Sequence, residues 1–362
     1  MLPRNFLELY GLTGSTLSNA LALAAGEAAT GAQESAFQSM NLFLDTMLDP
    51  FVVGRSESAD AFAAALSPGA ELPTHKNAPP AFEPRWTSWA AAFDGNDHID
   101  GDPAGTGSHD LSANAFGVAA GLDYHLTRDM LVGVALGGGR TSWGLSQGLG
   151  GGAGDVFDLG VYGSRQFGAA YVSGALAFAN QWLTTSRSGP FGETLPGRFA
   201  SQTYGGRIEG GYRLSTQVGG LTPYAALQGM DFDAHPYSEQ DCCGGGFGLA
   251  YAGRTASDIR SEFGARFDQV VAVQPEASLT LRARAAWIHD WVSDPRLGAT
   301  FETLPGASFN VVGAIPAKNA ALLSGVAEMR LTGRATIGAR FDGKLASGAH
   351  AYAGTAFLKL SF

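Results

Sequence analysis

Residues 113–126 read ANAFGVAAGLDYHL, and this stretch decides the fold class. Its apolar side chains alternate with small or polar ones, so they share one face of an extended strand. That apolar face carries Phe116, Val118, Ala120, Leu122, Tyr124 and Leu126. Apart from Asn114, the small and polar residues between them lie on the other face. The stretch therefore predicts a β-strand, and most later segments repeat its pattern.

The composition indicates what covers these apolar faces. Charged residues make up 15% of the 362 residues, against about 25% in an ordinary soluble domain. The net charge of −10 provides no basic surface, which argues against nucleic acid as a partner. No run of about 18 apolar residues is present that would make a spanning helix. The composition therefore favours strands, rather than helices, in contact with a membrane.

The strands after residue 200 carry charges on the face opposite their apolar residues. The residues assigned to this inward face are Arg207, Glu209, Arg213, Arg260, Glu262, Arg266, Asp268, Arg282, Arg284, Glu328 and Arg330. Alternation alone fits a soluble β-sandwich as well. Segment length separates the two, because runs of roughly 10 to 15 residues exceed the usual soluble strand and suit a tilted strand in a bilayer. The charges either line a pore that accommodates polypeptide or brace the wall, and the sequence leaves both roles open.

Connector lengths give the topology. Short connectors, such as 127–128 and 332–333, alternate with long glycine-rich or acidic ones, as in outer-membrane barrels. With 299–311 taken as part of an outer hairpin, residues 85–362 form an all-β fold, a closed antiparallel transmembrane β-barrel of about twelve strands. The last strand, 349–362, should pair with the first. Aromatic residues expected at the two membrane interfaces are Trp86, Trp89, Trp143, Phe167, Trp182, Trp287 and Trp291.

The first 51 residues follow a different period. Apolar residues recur every three or four positions between Ala32 and Leu48, which predicts an amphipathic helix that Asp49-Pro50 ends. The residues of this helix expected to contact the barrel wall are Phe37, Met40, Asp45 and Met47. Its length of about 25 Å matches the height of a barrel. It is therefore expected to plug the lumen, ahead of a linker over residues 52–84.

The helix can be oriented in the lumen by its two faces. Asp45 and Glu34 would meet inward arginines such as Arg207, Arg260, Arg266 and Arg282. The apolar face would pack on glycines such as Gly205, Gly264 and Gly325. A second helix, Leu17–Ala25, competes for the same place. A helix on the barrel surface is the alternative.

Motifs that could carry chemistry are weak. Cys242 and Cys243 are adjacent and lack the spacing of metal ligands. The acidic segment Asp94–Asp110 lacks the ligand spacing of a calcium loop and suits a mobile, solvated loop. His289 and Asp290 are neighbours on a strand, so they point to opposite faces. We therefore predict no metal, no cofactor and no catalytic residues.

Several motifs together resemble a known family. Residues 26–37 read GEAATGAQESAF, 47–51 read MLDPF, 86–91 read WTSWAA, 286–290 read AWIHD and 358–362 read LKLSF. In this order they resemble the C-terminal translocator of bacterial autotransporters, the proteins of type V secretion. The resemblance spans nearly the whole chain, and the combination of terminal strand and upstream helix is its most specific part.

The resemblance implies a location and a set of partners. It places the barrel in the bacterial outer membrane, where it would export its own N-terminal passenger to the cell surface, and it makes residues 1–51 a passenger remnant. The implied partners are outer-membrane lipid, the passenger and the barrel-assembly machinery, which would read Leu358, Leu360 and Phe362. The protein is expected to be a monomer.

Two other classes of protein share parts of this pattern. An ordinary outer-membrane barrel, either a porin or an adhesin, has no reason to place a helix and linker before its first strand. A barrel enzyme, such as a protease or lipase, should show catalytic residues near its outer rim. No signal peptide is visible, so we expect that Met1 is not the natural start. The sequence does not identify the passenger, its cleavage or the organism.

Overall fold

Twelve long antiparallel strands form the framework of a computed structural model that describes residues 4–48, 85–241, 244–273, 277–292 and 295–362. They are β1 (Trp86–Ile99), β2 (Leu111–Thr127), β3 (Met130–Leu145), β4 (Gly151–Phe167), β5 (Ala170–Ser188), β6 (Thr194–Tyr212), β7 (Gly219–Ala234), β8 (Arg254–Val273), β9 (Ser278–Val292), β10 (Asn319–Arg330), β11 (Ala335–Ala346) and β12 (Ala349–Ser361). Each pairs with the next along the chain. Their lengths run from 12 to 20 residues, so the longer strands exceed the expected range of roughly 10 to 15.

The sheet closes on itself through β1 and β12. Ala91 lies opposite Phe357 in this pair, and Ile99 lies opposite Ala349. At the chain end, Phe362 N–H donates to the Trp86 carbonyl at 3.0 Å. Closure is required because an unpaired strand edge in lipid would leave backbone groups unsatisfied, at several kcal/mol each. The predicted closed barrel is confirmed.

The two faces of the strands meet different surroundings. Apolar side chains such as Phe116, Leu176 and Ile208 are more than half exposed on the outer face. Small and polar side chains occupy the buried inner face, as Arg207 and Glu209 do. This is the inverse of a soluble barrel and follows from lipid being the outer solvent.

Two tryptophans lie on the inner face, contrary to the expectation of an interfacial girdle. Trp89 and Trp143 are buried, with 3% and 4% of their surfaces exposed. Trp89 is three residues from the exposed Trp86, an odd spacing that puts the two on opposite faces of β1. The other aromatic residues assigned to the girdles are exposed, namely Trp86, Phe167, Trp182, Trp287 and Trp291.

The two ends of the barrel differ. Short turns, such as residues 128–129 between β2 and β3, join the strands at the end where β1 starts and β12 finishes, which identifies the periplasmic end. A short strand, Leu214–Thr216, pairs with β7 there. At the outer end, four further strands form a separate sheet, Tyr237–Ser238, Leu249–Tyr251, Arg296–Phe301 and Ser308–Val312. The expected outer hairpin of residues 299–311 belongs to this sheet.

The N-terminal segment is helical. It comprises α1 (Arg4–Glu8), a 3₁₀ turn (Leu9–Gly11), α2 (Gly14–Ala25), a second 3₁₀ turn (Glu27–Thr30) and α3 (Gly31–Leu48). Helix α3 lies inside the barrel, as predicted for 32–48, with its N-terminus towards the outer end. Helix α2 packs on the outer loops and not in the lumen, because Ala24 contacts Leu195 and Phe247.

None of the helices in the described ranges is both long and apolar enough to cross a membrane. Three sequence expectations lie outside the described residues: the helix end at Asp49-Pro50, the linker over 52–84, and the adjacent Cys242 and Cys243. A short 3₁₀ turn, Ser146–Gly148, completes the described elements.

Candidate functional site

The apolar face of α3 seats against glycines of the barrel wall. A Cβ at Gly205 would lie 2.8 Å from Met40 Cγ, and one at Gly137 would lie 3.0 Å from the Phe43 ring. Met40 and Met47 have no exposed surface, and Met47 packs in the same way on Gly160. Glycine is needed because the helix approaches the wall more closely than a side chain would permit.

Only part of the expected glycine wall is present. Gly205 contacts the helix, but Gly264 lies beneath the Tyr224 ring and Ala286, and Gly325 has no neighbour where its Cβ would be. Gly325 is exposed on the outer face of β10. Those two assignments were wrong because the helix leans on the opposite side of the barrel, against β2–β6. Phe37 packs on the adjacent strand β7, edge-on to Phe232 at 6.3 Å.

The polar face of α3 meets the charged side of the lumen. Asp45 pairs with Arg340 of β11 at 3.2 Å. Asn41 accepts hydrogen bonds from Gln228 at 2.5 Å and from Arg260 at 3.3 Å. Glu34 lies half-buried nearer the outer end. Asp45 forms no ion pair with the arginines expected to meet it, since acids of the wall already pair with them.

Five of the predicted lumen residues form one buried network. Glu209 accepts two hydrogen bonds from Arg266, at 2.6 and 2.8 Å. Arg207 joins Glu209 to Glu262 with two contacts of 3.0 Å, and Arg284 pairs with Glu262 at 2.5 Å. Tyr171 and Tyr224 donate to the two glutamates. Each charge is thus paired and hydrogen-bonded, as a buried charge requires.

The other predicted lumen residues form separate pairs along the wall. Arg213 pairs with Asp268 at 2.7 Å near the periplasmic end. Arg282 pairs with Glu328 at 2.6 Å, and Arg260 with Asp290 at 2.7 Å. Arg330 is half-buried on the same face of β10 as Glu328. All eleven predicted residues are thus less than fully exposed, but they are paired locally and do not form one continuous cluster.

Two cavities lie beside the helix in the lumen. A cavity of about 100 Å³ lies between the polar face of α3 and the wall, lined by Asn41, Asp45 and Arg260 among others. That is room for several water molecules. A second cavity of about 30 Å³ lies at the end of α3 and is lined by Arg207, Arg266, Arg282 and Arg340. Arginines suit this place because the helix dipole puts partial negative charge there.

Some residues at the site were not identified from sequence. Arg340 and Lys344 face the lumen from β11, paired with Asp342 at 2.7 Å and Asp97 at 3.5 Å. The alternation used for the other strands would have found them. Arg187 and Tyr251 contact the N-terminal segment at the outer end, and Glu239 pairs with Arg187. Those stretches were interpreted as outer loops, where no periodicity marks a contact.

His289 and Asp290 lie on opposite faces of β9, as their spacing predicts. His289 shares a hydrogen bond with Asn319 at 2.8 Å, whereas Asp290 points inward to Arg260.

The residues assigned to assembly lie on the lipid side of the last strand. Leu358, Leu360 and Phe362 are 41%, 44% and 54% exposed.

Comparison with known proteins gives a family match. Residues 88–342 match the family described as Autotransporter beta-domain. Two sequences named "Extracellular serine protease" from Serratia marcescens are each 26% identical to this chain, over 264 and 268 residues. The match covers 72% of this chain and 24% of each relative. The chain therefore spans about a quarter of the length of the curated relatives it matches.

Solved structures share the fold. The translocator domain of the autotransporter NalP from Neisseria meningitidis is 15% identical, with a TM-score of 0.62, over 86% of this chain and 99% of that one. The beta domain of the Bordetella autotransporter BrkA is 14% identical, with a TM-score of 0.57, over 77% of this chain and 100% of that one. The transport unit of the autotransporter AIDA-I from Escherichia coli is 15% identical, with a TM-score of 0.54, over 84% of this chain and 97% of that one. At these identities the likeness establishes the fold alone.

Proposed function

Since the chain belongs to the autotransporter beta-domain family, whose members are outer-membrane translocators of type V secretion, we propose that its own N-terminal segment is exported through the lumen. In this proposal α3 stays in the lumen as the plug. The passenger's identity does not follow from the family. The protease name belongs to relatives of which this chain matches a quarter.

One observation carries this proposal: the chain crosses the lumen. Residues before Gly31 pack on the outer loops, α3 runs inward from there, and Trp86 begins β1 at the periplasmic end. The covalent path from residue 31 to residue 86 therefore leads from the outside to the periplasmic side. An ordinary porin has no need of such a path.

The paired charges of the wall suit the passage of a polypeptide. Arg207, Arg266 and Arg284 pair with Glu209 and Glu262 of the wall, which leaves one positive charge in excess, and the Asp45 carboxylate of the helix attracts Arg207 and Arg284 without an ion pair. Each of these arginines therefore keeps an acidic partner in the wall, whether or not a chain occupies the lumen. We propose that this lets different exported sequences move along it without strong binding. The barrel itself, in this proposal, performs no catalysis.

Surface display tests the export function. The full chain is produced in a Gram-negative host behind a cleavable signal peptide, with a short epitope placed before Arg4. We expect antibody to bind the epitope on intact cells, and added protease to remove it without cutting the barrel. A correctly assembled barrel whose epitope can be reached only after the outer membrane is opened would contradict the proposal.

We also propose that the barrel-assembly machinery recognises the end of β12. Leu358, Leu360 and Phe362 form an exposed apolar row that ends at the chain terminus. Deleting Phe362 should reduce the amount of heat-modifiable barrel in membranes. The control is Phe341→Ala, which removes a lipid-facing Phe of similar exposure, 58%, from β11. Equal assembly after both changes would reject this role for the terminal residue.

A further inference from the structure

Three side chains at the outer end of the barrel bind the main chain of the N-terminal segment. Arg187 donates to the Leu23 carbonyl at 2.6 Å. Tyr251 donates to the Gly26 carbonyl at 3.1 Å, and Trp143 donates to the Ala28 carbonyl at 2.7 Å. We call Trp143, Arg187 and Tyr251 the exit collar. Because its three donors reach backbone oxygens, the collar recognises a conformation more than a set of side chains.

The exit collar is held in place by a buried acid. Glu239 accepts two hydrogen bonds from Arg187, at 2.8 and 2.6 Å. Its carboxylate also lies 3.1 Å from the Tyr251 hydroxyl, whose single proton is shared between Glu239 and the Gly26 carbonyl. The Arg187 and Glu239 side chains are each only 2% exposed. Arg187 also donates to the Phe247 carbonyl at 2.8 Å. The guanidinium is therefore fixed before the helical segment contributes its carbonyl, which is the condition for a preorganised site.

Two glycines of the bound segment fit the exit collar closely. Gly26 has a φ of +72°, in the left-handed region. A Cβ there would lie 2.4 Å from both Leu249 Cδ1 and the Tyr251 hydroxyl. At Gly31 a Cβ would lie 2.2 Å from Trp143 Cδ1. The site therefore accepts glycine at both positions and excludes larger residues.

We propose that the exit collar is a stop site, which captures residues 23–31 as they leave the lumen and so fixes how far the chain is exported. This inference rests on the proposed export function. The ligand is a main-chain turn with a left-handed glycine, supplied by the same polypeptide. Capture holds α3 at one height, because the collar binds the segment directly before its first residue.

Thiol labelling on intact cells tests the stop site. In full chains with Cys242→Ser and Cys243→Ser, a reporter cysteine replaces either Ala28, which is 1% exposed, or Leu21, which is 51% exposed. A membrane-impermeant maleimide then reports how often each position opens. We compare the intact collar with Gly26→Ala, with Tyr251→Phe, and with Arg187→Met combined with Tyr251→Phe.

We expect the residue-28 thiol to react at least about tenfold faster in the Gly26→Ala and double variants. The added Cβ of Gly26→Ala clashes with Leu249 and Tyr251 at a left-handed φ, and the double variant loses the hydrogen bonds to the Leu23 and Gly26 carbonyls. Tyr251→Phe, which removes only a hydroxyl, should give a smaller rise. The control Arg198→Met removes an exposed arginine of β6 and should change nothing. The residue-21 thiol should label equally in every chain.

Two failures are distinguishable. If the residue-28 thiol stays equally protected in all variants while the residue-21 thiol labels, the stop site is rejected and export stands. If the residue-21 thiol never labels on intact cells although the barrel is assembled, export itself fails. Heat-modifiable migration of each variant shows that its barrel has folded, so a labelling change is read only from folded protein.

Discussion

Glu262 joins two arginines of the lumen wall. It pairs with Arg207 at 3.0 Å and with Arg284 at 2.5 Å, and its side chain is 2% exposed. Replacing it by glutamine leaves two buried guanidinium groups short of a counter-charge. Breaking a buried pair in this way costs about 3 to 5 kcal/mol.

We therefore expect Glu262→Gln to lower the free energy of unfolding by about 3 kcal/mol. Urea titration of the barrel in lipid vesicles, followed by tryptophan fluorescence, measures this quantity. Asp129→Asn is the matched control, because Asp129 lies exposed in the turn after β2. Coincident unfolding curves for the two variants would show that the network does not stabilise the wall.

Glu27 couples the stop site to pH. It accepts from the backbone N–H of His109 at 2.8 Å and shares a contact of 2.7 Å with the His109 ring. Burial raises the pKa of its carboxyl above the ordinary 4.5, and the hydrogen bonds from His109 offset part of that rise. A raised pKa means that the seated state favours the protonated acid. Seating should therefore weaken as pH rises through the raised pKa.

The frequency of channel openings in planar bilayers reports seating. We expect more openings at about pH 8 than at about pH 5, and a smaller difference for Glu27→Gln, which carries no charge at either pH. Titrating groups outside the Glu27–His109 pair are common to both proteins, so the comparison isolates that pair. An identical pH dependence in the two would exclude Glu27 as its source.

At the scale of elements, α3 accounts for closure of the lumen. A cavity of about 100 Å³ beside it has room for several water molecules. Deleting residues 1–52 should raise ion conductance in planar bilayers clearly. Deleting residues 1–22 should not, since α3 and the segment bound by the exit collar both stay. A conductance that is small and equal in the full chain and both deletions would place the helix outside the conducting path.

The strands and α3 could be predicted from sequence because their surroundings impose a period. Lipid on one side and a polar lumen on the other impose a period of two on a strand such as β2. Packing of a helix on one wall imposes a spacing of three to four residues between apolar side chains, as between Phe37 and Leu48. The inward direction of Trp89 could also have been found, from its odd distance to Trp86.

The partners inside the lumen could not be predicted in the same way. Asp45 pairs with Arg340, whereas the arginines of β6, β8 and β9 pair with acids of the wall, such as Glu209 and Glu262. Which acid reaches an arginine first depends on register and on where the helix leans. Strand register and the position of the helix are not encoded in local residue spacing. The face on which each charged residue lies could therefore be predicted, but its ion-pair partner could not.

At the scale of the whole molecule, the outer end is the part that local sequence describes least. The exit collar combines Trp143 of β3, Arg187 of β5 and Tyr251 of the outer sheet. These residues are more than 100 positions apart from first to last, and each lies in or beside a stretch without a regular period. Only the closed barrel brings them around the turn at Gly26.

The central claim is that the N-terminal segment passes through the lumen with α3 seated in it. Met40→Cys with Gly205→Cys tests this directly, because the Met40 Cγ lies 2.8 Å from the Cβ position at Gly205. That placement suits a disulfide. The native Cys242 and Cys243 are replaced by serine, and the control pairs Met40→Cys with Gly325→Cys on the outer face of β10.

The measurement is the mobility of the unreduced protein from intact cells on denaturing gels. We expect the 40–205 pair to form an internal disulfide in most of the assembled barrel and the 40–325 pair to form none. An assembled barrel in which both thiols of the 40–205 pair stay free, and react with maleimide after denaturation, would contradict it.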